Sequence, residues 1–211
     1  SICRINILMK ISKSFKSIAV ICWRRLANYL NLLAIRPVWI GKKVYLGPQA
    51  EVNGAYQIQI SSGFYVRYGL WMDAISRYQE QRFTPFLSFG RNFSASRFLH
   101  IGCVNSISIG DDCLFGSNVT VIDHNHGNLR EELLRPPKAP ISQPLFSTGE
   151  IVIGDRVWIG DNVVVLSGAK IGNDVVVGAN SVVSGELPAG HICVGAPCRP
   201  LRLRGLEKSP S

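Results

Sequence analysis

The amino-acid sequence predicts a mainly β chain folded as a parallel β-helix, and three observations carry that prediction. Aliphatic side chains recur every six residues at Ile153, Ile159, Val165, Ile171, Val177 and Val183. Glycine follows at Gly154, Gly160, Gly172 and Gly178, and a second small or apolar set falls four places after each first position, at Val157, Val163, Ala169, Val175, Ser181 and Leu187. The same frame returns upstream at Phe89, Ala95 and Ile101 and at Ile109, Phe115 and Val121, and earlier still at Ile40, Leu46, Val52, Ile60, Val66 and Met72. No α-helix has a six-residue period. A short strand with two inward side chains, followed by a tight turn to the next flat side, does have it, and glycine is expected at the turn because it tolerates positive φ. Three such strands close a triangular coil, and stacked coils bury the inner faces that no coil could bury alone.

Taken in chain order, residues 1–37 read differently from the rest. Ile5, Leu8, Ile11, Phe15, Ile18, Cys22, Leu26, Tyr29 and Leu33 recur every three or four places, with Lys10, Lys13, Lys16, Arg24 and Arg25 mostly on other faces. This is the pattern of a basic amphipathic α-helix. Two roles are open to it, capping the first coil or lying on an anionic lipid surface at the inner membrane. The apolar run Ile18 to Trp23 is interrupted by Arg24 and Arg25 and is far short of the ~20 residues of a membrane span. It also lacks a small-residue cleavage site, which leads to the expectation of a cytoplasmic protein.

Residues 38–190 carry the coils, and residues 191–211 read as a C-terminal tail. The steps from Val52 to Ile60 and from Ile101 to Ile109 are eight residues, which places a two-residue bulge at one corner. Residues 127–150, with Pro136, Pro137, Pro140 and Pro144, form a long excursion between regular coils, and such loops are more often functional than accidental. The stretch from Asp73 to Leu87 is less regular and reads equally as a loop or a distorted coil.

Composition limits the function classes. The 211 residues are 46% hydrophobic and 18% charged, enough for a real core and too few charges for a disordered chain. The formal charge is +9, yet Arg4, Lys10, Lys13, Lys16, Arg24, Arg25, Arg36, Lys42 and Lys43 all precede the first acid. The remaining 14 basic residues balance 14 acids, so no basic surface for nucleic acid covers the fold. Cys3, Cys22, Cys103, Cys113, Cys193 and Cys198 contain no C-x-x-C pair and read as reduced thiols.

Over roughly Phe89 to Arg202 the chain resembles the hexapeptide-repeat acyltransferases, in particular galactoside and maltose acetyltransferases and the O-acetyltransferases of bacterial surface polysaccharides. The most specific matches are Asp123-His124-Asn125-His126-Gly127, Val157-Trp158-Ile159-Gly160 and Val194-Gly195-Ala196-Pro197-Cys198-Arg199. The resemblance implies a left-handed coil, although parallel crossovers are generally right-handed. It also implies acetyl-coenzyme A as co-substrate, no metal, and a homotrimer whose active sites lie between subunits.

Carried over residue by residue, the resemblance makes His126 the general base that takes the proton of a sugar hydroxyl. Imidazole is suited to that task because its ordinary pKa is about 6.5. His124 is the competing base or a neighbour in the acceptor site, where Asp123, Asn105 and Ser96 are the other candidates. Asp123 is the group that could orient an imidazole. Trp158 implies the wall of the coenzyme A groove, with Asp161, Ala179 and Ser184 along the pantetheine arm and Arg199 and Arg202 at the nucleotide phosphates. Galactoside enzymes of the family have asparagine where this chain has Ser96 and lysine where it has Gly185, so galactoside is not the implied acceptor. A polysaccharide hydroxyl, free or on a lipid-linked precursor, fits better.

Other readings are open on the residues. An amino group of a nucleotide sugar, or serine, could accept the acetyl group with the same base. Some coils of this type are zinc carbonic anhydrases with three histidine ligands, and the histidines here are His100, His124, His126 and His191. With Ala95 stacked beneath Phe115 and Ile101 beneath Val121, His100 and His126 turn at different corners. A non-catalytic solenoid for binding or assembly is the remaining alternative.

Overall fold

A computed structural model describes residues 41–128 and 139–205, together with Cys22, Trp23, Leu26, Leu30 and Trp39. The helix expected over residues 1–37 and the first repeat position Ile40 therefore lie outside the described residues, apart from Cys22, Trp23, Leu26 and Leu30, which are helical and exposed. From Tyr45 onward the chain winds through three parallel sheets that form the sides of a solenoid. Face 1 stacks 45–46, 65–68, 94–97, 114–115, 158–159, 176–177 and 191–194, face 2 stacks 51–53, 71–74, 100–103, 120–122, 164–166 and 182–183, and face 3 stacks 58–60, 86–89, 106–109, 151–153, 170–171 and 186–187.

The register is the one the repeat dictates. Ala95 lies beside Phe115, which lies beside Ile159 and then Val177. Ile101, Val121, Val165 and Val183 form the equivalent column on face 2. Phe89, Ile109, Ile153, Ile171 and Leu187 form that of face 3. All of these side chains are buried in one continuous core, as are the corner residues Val157, Val163, Ala169 and Val175. Ser181, in the same corner set, is fully buried; its hydroxyl donates to Gly178 O at 2.7 Å and accepts from Gly195 N–H at 3.0 Å. At the first coil Trp39 is buried against the core end, and Lys42 N–H donates to its carbonyl.

The glycines are required for a different reason from the one the turn predicts. Positive φ falls two residues later, on Asp112, Arg156 and Asp174 between faces 3 and 1 and on Asn118, Asn162 and Asn180 between faces 1 and 2. Short polar side chains tolerate that conformation better than most, and here the asparagines also bond from coil to coil, Asn118 to Asn162 at 3.0 Å and Asn162 to Asn180 at 3.1 Å. Gly154, Gly160 and Gly172 lie where the next coil passes closest. A Cβ on Gly160 would sit 2.7 Å from Ala179 N, and one on Gly172 would sit 2.6 Å from Ala189 N.

The C-terminal segment also departs from expectation. Residues 191–194 continue face 1 with Cys193 in the core, and 199–203 fold back antiparallel on them, so that much of the expected tail completes and covers the last coil. The four coil cysteines, Cys103, Cys113, Cys193 and Cys198, are buried free thiols, and burial raises Cys113 and Cys193 to about 11.

Stability separates the two kinds of glycine. Gly160→Ala should lower unfolding free energy by about 1–3 kcal/mol, because a methyl group is forced against backbone of the next coil. Gly185→Ala, where nothing lies within 4 Å and φ is not positive, should be neutral to within about 0.5 kcal/mol in the same denaturant titration.

Candidate active site

Both breaks in the repeat leave the solenoid at the corner between faces 2 and 3. The stretch after Trp71–Ala74 is neither a distorted coil nor a plain loop, since Arg77–Tyr78 and Gln81–Arg82 pair as a small antiparallel hairpin. The long excursion after Thr120–Ile122 begins with Asn125–His126 paired antiparallel to Leu145–Phe146. One coil, that of His100–Cys103, lies between their points of departure, yet the hairpin reaches the loop. Gln81 Nε2 donates to Leu145 O at 3.0 Å and Gln81 Oε1 accepts from Leu145 N–H at 2.7 Å. Gln79 Nε2 donates to Ile141 O at 2.8 Å.

His126 is exposed at the mouth of this loop. Its Nδ1 lies 3.3 Å from the Tyr78 hydroxyl, and the two rings meet edge to face at 5.5 Å between centroids. His124 is mostly covered, with 11% of its side chain accessible, and packs over Gly102, where a Cβ would come within 3.1 Å of its ring. Asp123 is fully buried. One of its oxygens accepts from Val104 N–H at 2.9 Å and lies 3.1 Å from His124 Nδ1, while the other accepts from Asn105 N–H at 2.8 Å. A carboxyl group placed there holds the turn at 104–105 and orients His124. Asn105 itself is exposed and lines a hollow of about 450 Å³ with Arg82, Phe83, Thr84, Val104 and Ser147.

All but one of the remaining candidates lie elsewhere. Trp158 points outward from face 1 and is 51% exposed, flanked in the sheet by Leu114 and Val176. Ser96 is on the same face two coils below. Asp161 and Ala179 occupy the corner between faces 1 and 2, where Asp161 accepts from Ser117 N–H at 2.6 Å and so ties two coils together. Arg202 pairs with Ile192 at the end of face 1, and Arg199 Nη1 donates to Cys198 O at 2.8 Å. Ser184 follows the last strand of face 2, on the side of the solenoid that carries His126. A groove of about 470 Å³ runs beside Trp158, lined by Asp112, Leu114, Arg156, Asp174, Gly190 and Arg204 among others.

The structure thus sorts most of the candidate residues into two groups. His126, His124, Asp123 and Asn105 share the corner between faces 2 and 3, whereas Trp158, Ser96 and the cationic end are on face 1, the side opposite that corner. The filled core lies between them. Sequence reasoning missed Tyr78, Gln79, Gln81, Arg82 and Arg204; the irregular stretch from Asp73 to Leu87 was the only signal for the first four. Among the described residues, no group of three or more His, Cys, Asp and Glu side chains is placed to hold a metal ion.

A triangular solenoid with an exposed imidazole at a corner loop and an outward tryptophan on the opposite side has the form of a β-helix transferase. Residues 150–185 match the family model for the bacterial transferase hexapeptide of six repeats, and residues 106–125 match that for the hexapeptide repeat of succinyl-transferase. The chain is 37% identical over 143 residues to a putative lipopolysaccharide biosynthesis O-acetyl transferase of Escherichia coli K12, covering 67% of this chain and 69% of that one. It is 35% identical over 121 residues to the galactoside O-acetyltransferase of the same organism, spanning 55% of this chain and 53% of that enzyme. An N-acyltransferase from Bacillus cereus, solved as a variant in complex with dTDP and coenzyme A, shares the fold, with a TM-score of 0.58 at 18% identity over 77% of this chain and 82% of that one. The protein belongs to the hexapeptide-repeat acyltransferases, the left-handed parallel β-helix family.

Asp123→Ala should destabilise the chain by about 2–4 kcal/mol, since two backbone N–H groups at the 104–105 turn lose a buried charged acceptor. Thermal unfolding compared with a His124→Ala variant, which leaves both N–H groups satisfied, separates this effect from the loss of the imidazole contact.

Proposed function

We propose that this acyltransferase moves an acetyl group from acetyl-coenzyme A onto a hydroxyl of a bacterial surface polysaccharide or its lipid-linked precursor. The observation that carries the reading is His126, an exposed imidazole tethered at the mouth of the corner loop, within a chain 37% identical to a putative lipopolysaccharide biosynthesis O-acetyl transferase. The sugar oxygen attacks the thioester carbonyl while His126 takes the hydroxyl proton. The new C–O bond forms, the C–S bond breaks, and the proton passes to the departing sulfur. Asn105 and Arg82, beside the hollow at the same corner, are suited to hold the acceptor.

Face 1 supports the donor side of the reading. Trp158, Leu114 and Val176 make an apolar strip for the pantetheine arm, and Arg202 and Arg204 supply cations near its end for phosphate groups. Because the solenoid separates His126 from Trp158, a complete site needs face 1 of one chain against the corner of another. The homotrimer implied by the family resemblance would meet that requirement, and we place it on the cytoplasmic side of the inner membrane with the basic N-terminal segment near the lipid.

Incubation with acetyl-coenzyme A and glycan fragments should give a mass gain of one acetyl group on the accepted sugar. His126→Ala should lower turnover by about 10²–10⁴-fold with coenzyme A affinity unchanged. Unchanged turnover would pass the role to His124. Trp158→Ala should weaken acetyl-coenzyme A binding by about tenfold, roughly 1.4 kcal/mol, with little change in melting temperature, and light scattering should give three chains per particle.

A further inference from the structure

The contact between Tyr78 and His126 bears on a proton position once donors are counted. The Tyr78 hydroxyl is 2.9 Å from Ile141 O and 3.3 Å from His126 Nδ1. A phenol has one hydrogen to donate, and a carbonyl oxygen has none. With the phenol proton directed at Ile141, Tyr78 offers His126 only an oxygen lone pair. A hydrogen bond then exists only if Nδ1 carries the imidazole hydrogen.

We infer that Tyr78 is a positioning residue that holds neutral His126 in its Nδ1–H form, leaving the Nε2 lone pair for the substrate hydroxyl. This deepens the reading of His126 as the base and rests on it. Further hydrogen bonds tie the hairpin to the loop. Ile141 O is approached by two donors, Tyr78 and Gln79, while Gln81 exchanges two hydrogen bonds with Leu145, the strand partner of His126. If His126 carried its hydrogen on Nε2, Tyr78 would have to turn its proton away from Ile141 to keep any bond between the rings. The hairpin at 77–82 thereby acts as a clasp: its backbone belongs to an earlier coil, and its side chains set both the position and the tautomer of the proposed base.

Nitrogen-15 NMR of the histidine rings in the full-length protein tests this without turnover, because protonated and unprotonated ring nitrogens differ widely in chemical shift. The His126 signal is identified by its loss in His126→Ala. In the wild type, at a pH where the ring is neutral, the expected pattern is Nδ1 protonated and Nε2 bare. Tyr78→Phe, which keeps the ring and removes the hydroxyl, should shift the population toward the Nε2–H form. It should also lower kcat on the order of 10–100-fold with the KM for acetyl-coenzyme A unchanged. A wild-type ring in the Nε2–H form, or the same tautomer in both proteins, would overturn the inference, and the wild-type measurement decides even if the variant folds poorly. Full activity of His126→Ala would instead overturn the role of His126 as base while leaving the tautomer result standing.

Discussion

Successive coils lie at the spacing of hydrogen-bonded strands, about 4.8 Å, and every other feature has to fit within that distance. Side chains on the inner column of each face stack directly on their equivalents, as Ala95, Phe115, Ile159 and Val177 do, so the core fills without voids only while the register holds. At the corners the backbones approach so closely that Gly160 and Gly172 have no room for a methyl group. Polar atoms there are satisfied by the neighbouring coil. Asp161 takes the N–H of Ser117, Asp155 that of Asp111, and Asn173 Oδ1 that of Asp155.

Register leaves one outlet for extra residues. A residue inserted within a strand would turn every later side chain to the opposite face, so additional chain must leave and return at a corner. In this protein the corner between faces 2 and 3 takes both insertions. Two segments far apart in sequence emerge from the same edge of the solenoid and meet beyond it, which is how Tyr78 comes to touch His126. The candidate site is thus a product of the stacking rule as much as of its own residues. Asp123, at the start of the long loop, anchors it to the coil beneath through Val104 and Asn105.

The same geometry bears on assembly. A packed core lies between Trp158 on face 1 and His126 at the opposite corner, and no local rearrangement of a stacked solenoid brings them together. A reaction that uses both requires a second copy of the chain, a requirement that any closed assembly setting face 1 of one copy against the corner of another would meet. Family membership agrees with a scaffold whose chemistry is set by what its corners carry.

Much of this was legible in the residues alone. The six-residue period marked the inward columns, and the eight-residue steps at Val52 to Ile60 and Ile101 to Ile109 marked the irregular corner, because burial inside a narrow coil imposes a strict spacing on apolar side chains. The Asp-His-Asn-His-Gly run marked the loop mouth. Tertiary structure alone decided the rest. It showed that the glycines answer to the neighbouring coil and not to φ, that residues 191–203 complete the solenoid, and that Asp123 is spent on backbone N–H groups. It also showed that a hairpin from one coil clasps a loop from another. The reason is physical: a repeat records the contacts each coil makes with its own kind, whereas contacts between two unique insertions leave no period to read.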